Sequence, residues 1–315
     1  MTVKEAADYW LYSITNTIKR HSRNTISVYR LTVKNHIHGS AISRLSLVEA
    51  NKPSILQPCL QHVAEHSGLA AARLLRIVLS SIFEAAARDE ALQRNPVRLT
   101  SNPTHGKANT SPRQPGRAFT EAELYRLFQI IDNDEYMISE DMPDLLRFYL
   151  ISGVRCNEGL QLRREDVDLQ NQTMHIRGTK TQRSDRIIPL LPEIITIMQN
   201  RDTQNAPGYA FPAPINARSR KTTAISERKR DDRSVRKLVK LAMQKADLEW
   251  ATIHTFRTTC GTAFVQKGKP INAAAAYLGD SVPTFLASYV SDKLAPHTLY
   301  EQLNDTPVTH RDHNF

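Results

Sequence analysis

Cysteine is scarce: the 315-residue chain has three, Cys59, Cys156 and Cys260, widely separated and without zinc-ligand spacing. An odd, sparse set excludes a disulfide-stapled secreted fold and implies reduced thiols in a cytoplasmic compartment. No apolar run approaches the roughly 20 residues that span a bilayer, so no membrane partner is expected. The opening residues, Met-Thr-Val-Lys-Glu-Ala-Ala-Asp, lack the apolar core of a signal peptide. No internal repeat is present, which removes solenoid architectures. Acidic residues are outnumbered, with Asp+Glu 32 against Lys+Arg 42, and the formal net charge is +10. That balance favours a polyanionic partner, above all nucleic acid.

What is present is periodicity, and a length sufficient for two domains with separate cores. From Val3 to Ile18, apolar residues including Ala7, Trp10, Leu11 and Ile14 share one helical face. A second helix is expected from about Thr25 to Ile37, after which Asn51, Pro53 and Pro58 blur the limits. The clearest helix runs from Gly68 to Leu92, where Leu74, Leu75, Val78, Leu79, Ile82, Phe83 and Ala86 keep a near-3.6 period. Asn95-Pro96 is expected to end it, because a residue before proline avoids the α region. Residues 1–99 therefore read as a small all-α domain.

Thr100 to Arg117 carries several prolines and glycines, the cations Lys107, Arg113 and Arg117, and no acidic residue. Such a composition reads as a basic interdomain linker over 100–117, either solvated or lying on phosphates. A second domain, 118–290, opens at Thr120, whose hydroxyl and Glu123 form a capping box. Helical period follows through Leu124, Leu127, Phe128 and Ile131, and again from Leu145 to Leu150. Thr173 to Arg177 and Arg186 to Pro189 read as a β-hairpin closed across Gly178 to Asp185. Helices return after Pro192. From Ala217 to Lys240, ten Lys/Arg face three Asp/Glu, a skew that favours a phosphate-facing surface.

Five strings carry chemistry. Arg155 follows a small-residue turn, Ser152-Gly153, and precedes a helix containing Glu158, Leu160 and Leu162. A guanidinium offers a planar fork matched to two phosphate oxygens, and Glu158, one turn on, is placed to fix it or a nearby histidine. Alone, Gly-x-Arg-x-x-Glu also describes a surface ion pair. Lys180 falls at the hairpin bend, where most lysines are merely solvated. His254 and Arg257, three apart, leave one helix face together, although a polar helix start would look the same. Tyr289 is one of ten tyrosines. A phenol, with an ordinary pKa of about 10, needs a base or nearby cations before it attacks at neutral pH.

Taken in order, Ile-Ser-Gly-Val-Arg-Cys-Asn-Glu (151–158), Gly-Thr-Lys-Thr (178–181), His-Thr-Phe-Arg (254–257), Tyr-Leu-Gly-Asp (277–280) and Tyr289 resemble the tyrosine recombinase (phage integrase) family. The match is strongest from about Phe119 to Tyr289 and looser over the first hundred residues. The resemblance implies a mainly α fold with a small β-sheet: an all-α, SAM-like core-binding domain, then a mixed α/β catalytic domain. It implies a site-specific recombinase of phage or mobile-element type, which cleaves DNA through a 3′-phosphotyrosyl intermediate and exchanges strands by way of a Holliday junction. Tyr289 would be the nucleophile, Arg155, His254 and Arg257 the phosphate clamp, and Lys180 the acid for the leaving 5′-oxygen. Lys107, Arg113, Arg117, Arg183, Arg218, Arg220 and Lys221 would contact DNA.

No cofactor, ATP or metal is implied. The partners would be duplex attachment or core sites, a homo-tetramer on DNA formed from monomers or weak dimers, and a host DNA-bending factor. The tail, 291–315, would pack against a neighbouring protomer, or in cis as a terminal helix. A compact form without an arm-binding module is expected. A type IB topoisomerase-like enzyme and a catalytically silent regulator are the alternatives. The departure from the family is Asp280, where histidine or tryptophan usually donates a hydrogen bond to the phosphate. An ionised aspartate cannot donate, so the site would be slower, Asp280 would turn away or stay protonated, or another donor would substitute.

Overall fold

The computed structural model describes residues 1–17, 21–107, 116–178, 182–201, 207–214 and 227–290. The chain divides into two compact units, Met1–Thr110 and Ser111–Phe315. The first is built on four helices, α1 (Val3–Asn16), α2 (Arg23–His36), α3 (Pro53–Ser67) and α4 (Leu69–Arg88). Thr2 and Glu5 cap α1 reciprocally, and the Ser22 hydroxyl accepts the Thr25 N–H to start α2. Pro53 opens α3, where a missing N–H costs nothing, while Pro58 is carried inside the helix. The apolar stripe of α4, from Ala72 to Ala86, is buried against Trp10, Val33, Leu56 and Leu60.

Two expectations for this unit change. Helix α4 ends at Arg88, well before Asn95-Pro96, because the chain turns at Glu90 with φ 58°. Asn95 instead ties the next segment down, with its amide donating to the Ser80 carbonyl and the Glu84 carboxylate. The residues read as the start of a linker are also anchored. Arg76 donates to the Thr100 carbonyl, Gln57 to Ser101, Gln61 to His105, and the Lys107 N–H to the Ala64 carbonyl at 2.8 Å.

The second unit begins with α5 (Glu121–Asn133), α6 (Glu135–Ser139), α7 (Met142–Ser152) and α8 (Cys156–Gln161). The Thr120–Glu123 box caps α5 as the residues suggested. A three-stranded antiparallel sheet follows: β1 (Val167–Asp168), β2 (Thr173–Ile176) and β3 (Arg186–Pro189), in the order β1-β2-β3. Met174 pairs with Ile188 and His175 with Ile187, which sends Met174, Ile176 and Ile188 into the core. The two-residue β1 is an addition to the expected hairpin. Helices α9 (Pro192–Asn200), α10 (Asp232–Lys245), α11 (Ile253–Gln266), α12 (Ile271–Leu278) and α13 (Val282–Tyr289) complete the unit. Among the described residues no helix is long and apolar enough to cross a membrane.

Helix α7 lies at the centre, fully burying Leu145, Leu146 and Phe148. It ends at Gly153 in the left-handed region (φ 60°), and a Cβ there would come within 2.5 Å of Leu278 Cδ2 and 2.9 Å of Cys260 Sγ. Glycine thus brings the end of α7 directly against α11 and α12. A smaller cluster of Cys260, Ala274, Ala275, Leu278, Phe285 and Tyr289 joins α11, α12 and α13.

Candidate active site

Four separate segments meet at one carboxylate. Asp280 follows the left-handed Gly279 that caps α12, and its side chain is only 6% exposed. Arg155, immediately before α8, donates from Nη2 to Asp280 Oδ1 at 2.6 Å. Arg257, on the inner face of α11, donates from Nη2 to Asp280 Oδ2, also at 2.6 Å. The Tyr289 hydroxyl at the end of α13 donates to the same Oδ2 at 3.1 Å and accepts from Arg257 Nε at 2.9 Å. Asp280 therefore does not turn away. It holds both guanidinia and the phenol at once.

Arg257 is 2% exposed, a depth a charge tolerates only with its donors satisfied. It also donates to the Gly153 carbonyl at 2.8 Å and the Leu278 carbonyl at 2.9 Å, so α11 is tied to the ends of α7 and α12. Arg155 is 41% exposed and open to the cleft. Glu158 fixes it twice, accepting from its Nη1 at 2.8 Å and its backbone N–H at 2.9 Å. The other face of Glu158 meets Arg186 on β3, Nη2 to Oε2, at 3.2 Å. Burial pushes the Glu158 pKa up, but Arg186 and the Arg155 hydrogen bonds outweigh it and hold the carboxyl below its usual range. Arg186 also donates from Nε to the Tyr277 carbonyl at 2.7 Å. Its own pKa falls, because burial penalises the cation.

Arg155, Glu158, Arg257 and Asp280 border a cleft of about 890 Å³ also lined by His254, Arg177, Arg183 and Arg236. His254 is exposed. Desolvation of its imidazole and the charge of Arg257 both lower its pKa, favouring the neutral ring. Tyr289 is 6% exposed, so the phenol expected to meet a phosphate is buried on Arg257 and Asp280. Burial raises its pKa above the ordinary value, with Arg257 opposing and Asp280 adding to the shift.

Not every expected residue gathers here. Arg183 is exposed at the cleft, and Lys107 is exposed in the first unit. Arg117 stacks on Trp250, 4.0 Å from the ring centroid, and pairs with Glu123 at 2.6 Å. Lys180, Arg113, Arg218, Arg220, Lys221 and the tail from 291 lie outside the described residues. Within the basic stretch, Arg230 is buried, donating to the carbonyls of Pro212 and Glu140 and pairing with Asp141, so part of that charge is structural. Sequence reasoning missed Arg186, Arg177 and Arg236. Arg186 opens β3, a strand with a single buried residue, so no local pattern marked it as a support for Glu158. Tyr277 is half-buried against Phe264, with its hydroxyl unpartnered among the described residues. Burial pushes the Cys156 and Cys260 thiols up to about 12, which makes both poor nucleophiles. Among the described residues no group of three His, Cys, Asp or Glu is arranged to hold a metal ion.

A family model described as the phage integrase family matches residues 117–293. The chain is 23% identical over 270 residues to tyrosine recombinase XerC of Chlamydia trachomatis serovar D, covering 82% of this chain and 81% of the relative. To tyrosine recombinase XerD of Staphylococcus epidermidis it is 23% identical over 274 residues, covering 82% and 85%. Its fold is similar to that of the Tn1549 transposon integrase, solved with a circular intermediate DNA. That superposition has a TM-score of 0.74 at 17% identity and covers 96% of this chain and 99% of the other. A lambda integrase dimer bound to a COC′ core site superposes with a TM-score of 0.68 at 14% identity, covering 94% and 79%.

Proposed function

Because the chain belongs to the phage integrase family, we propose that it is a site-specific DNA recombinase whose nucleophile is Tyr289. The observation that carries this reading is the meeting of Arg155, Arg257 and Tyr289, drawn from distant parts of the sequence, beside a cleft that His254 also borders. Two guanidinia with fixed supports are suited to the charge of a phosphodiester and its five-coordinate transition state. The Tyr289 oxygen would attack phosphorus, leaving a 3′-phosphotyrosyl ester and a free 5′-hydroxyl, which Lys180 would protonate as it departs. A 5′-hydroxyl from a second duplex would reverse the step. Energy is conserved in the ester, so neither ATP nor a metal is required. Two such exchanges through a Holliday junction require four protomers, with the tail from 291 joining neighbours. In the resting protein the phenol is shielded, so DNA binding has to bring the phosphate and the Tyr289 oxygen together with the Tyr289–Asp280–Arg257 contacts kept.

The test is incubation in EDTA with nicked duplexes, followed by denaturing electrophoresis. The wild type is expected to form a protein–DNA adduct that survives denaturation, and Tyr289→Phe none. A wild type that binds duplex without any adduct would instead make the protein a DNA-binding regulator.

A further inference from the structure

Attack by Tyr289 requires its phenolic proton to go somewhere. Among the described residues the hydroxyl has two hydrogen-bond partners, and only one can accept: Arg257 Nε donates to it, while Asp280 Oδ2, at 3.1 Å, receives its proton. His254, the usual suspect for proton movement, lies at the exposed side of the cleft and makes no hydrogen bond to the phenol.

We propose, resting on the recombinase reading above, that Asp280 is the general base of the cleavage step. As the Tyr289 O–P bond forms, the phenolic proton passes to Asp280 Oδ2 and the P–O bond to the 5′-oxygen breaks, its electron pair leaving with that oxygen. A carboxylate is too weak a base to ionise a resting phenol, so transfer accompanies bond formation, when the oxygen loses electron density and its proton becomes acidic. The protonated Asp280 then carries an O–H, a donor for a non-bridging phosphate oxygen. The residue that seemed unable to fill its place thus becomes able to fill it once it has done its first task. In rejoining, the incoming 5′-hydroxyl attacks phosphorus and returns its proton to the group that protonated the leaving oxygen, while the P–O bond to Tyr289 breaks and the departing phenolic oxygen takes its proton back from Asp280. Among the described residues, the charged and titratable groups surrounding Asp280 are Arg155 and Glu158 at α8, Arg183 and Arg186 before and on β3, His254 and Arg257 on α11, and Tyr289 on α13.

The experiment uses duplexes bearing a 5′-bridging sulfur at one fixed phosphodiester, with randomised flanks because the preferred sequence is unknown. A thiolate leaves unprotonated, so adduct formation reports the nucleophile's side alone. Asp280→Asn is expected to form adduct on the order of 10²–10⁴-fold more slowly than wild type near pH 7. The gap should narrow as pH rises beyond the ordinary phenol value of about 10, toward the higher value that burial gives Tyr289, where the phenol ionises without help. Should Asp280→Asn fold poorly, Asp280→Ala leaves room for formate, which is expected to restore adduct formation where chloride at equal ionic strength does not. Three results would overturn the proposal: a deficit equal at every pH, meaning position only; faster cleavage by Asp280→Asn, meaning a carboxylate that merely competes with phosphate; or pH-dependent closure in His254→Ala instead. A wild type that forms no adduct with any member of the pool defeats the recombinase reading itself, a result distinct from these.

Discussion

Glu158 shows how one side chain supports a site without touching its reacting atoms. It is 9% exposed and stands between Arg155 and Arg186, both cations that would otherwise lack a counter-charge on that side. Since its folded pKa lies below the ordinary glutamate value, its contribution is fully present above the unfolded pKa of about 4.3 and is lost as pH falls through the lower folded value. Glu158→Gln is therefore expected to cost about 1–3 kcal/mol near pH 7, the range for a buried hydrogen-bonding group deprived of its charged partner. Urea unfolding at a series of pH values should show that difference constant above about pH 5 and shrinking below about pH 4. A difference independent of pH would mean that Glu158 acts by shape alone. The Gly-x-Arg-x-x-Glu string made the Arg155–Glu158 pair legible because helical spacing is local. Arg186 was not legible as a support, because its three partners come from the preceding turn, α8 and α12, and only the fold brings them together.

At the level of elements, the position of Tyr289 depends on how closely α13 approaches α11. A Cβ on Gly261 would lie 2.7 Å from both Cγ and Cδ1 of the Tyr289 ring. Glycine to alanine inside a helix ordinarily stabilises by about 0.5–1 kcal/mol through chain entropy. Here overpacking, typically about 1–3 kcal/mol, opposes that gain and wins, because ring atoms next to the backbone have little room to yield. Gly261→Ala is expected to displace the phenol and slow adduct formation by about tenfold or more while duplex binding is unchanged. Retention of full adduct formation would show that α13 moves freely against α11. Long amphipathic helices such as α4 and α5 could be read from period, and the Thr120 cap from its residues. The end of α4 could not, since the stop is a left-handed Glu90 closed by the Ala91 N–H on the Ala86 carbonyl, with neither proline nor glycine to mark it. Nor could β1, whose two residues have no period to detect and form a strand only because β2 offers an edge.

For the whole molecule, the formal charge of +10 makes binding to duplex DNA a matter of counterion release as well as contact. If six to ten phosphates are neutralised, affinity is expected to fall roughly 10³–10⁵-fold between about 50 and 200 mM salt, with a log–log slope near −0.9 per contact. Composition reveals the sign of this effect but not its size, because many of the cations are already spent inside the fold. Arg230 is buried on carbonyls and Asp141, and Arg201 on Asp141. Arg155 differs, being partly exposed and lining the cleft. Arg155→Ala should therefore flatten the salt slope by about 0.9, the equivalent of one phosphate. Tyr289→Phe, which removes no charge, should leave the slope unaltered while abolishing the adduct. Titrations of labelled duplex at several salt concentrations separate the two variants. An Arg155→Ala slope equal to wild type would mean that this guanidinium never reaches a phosphate, and the clamp would have to be built from other cations of the cleft.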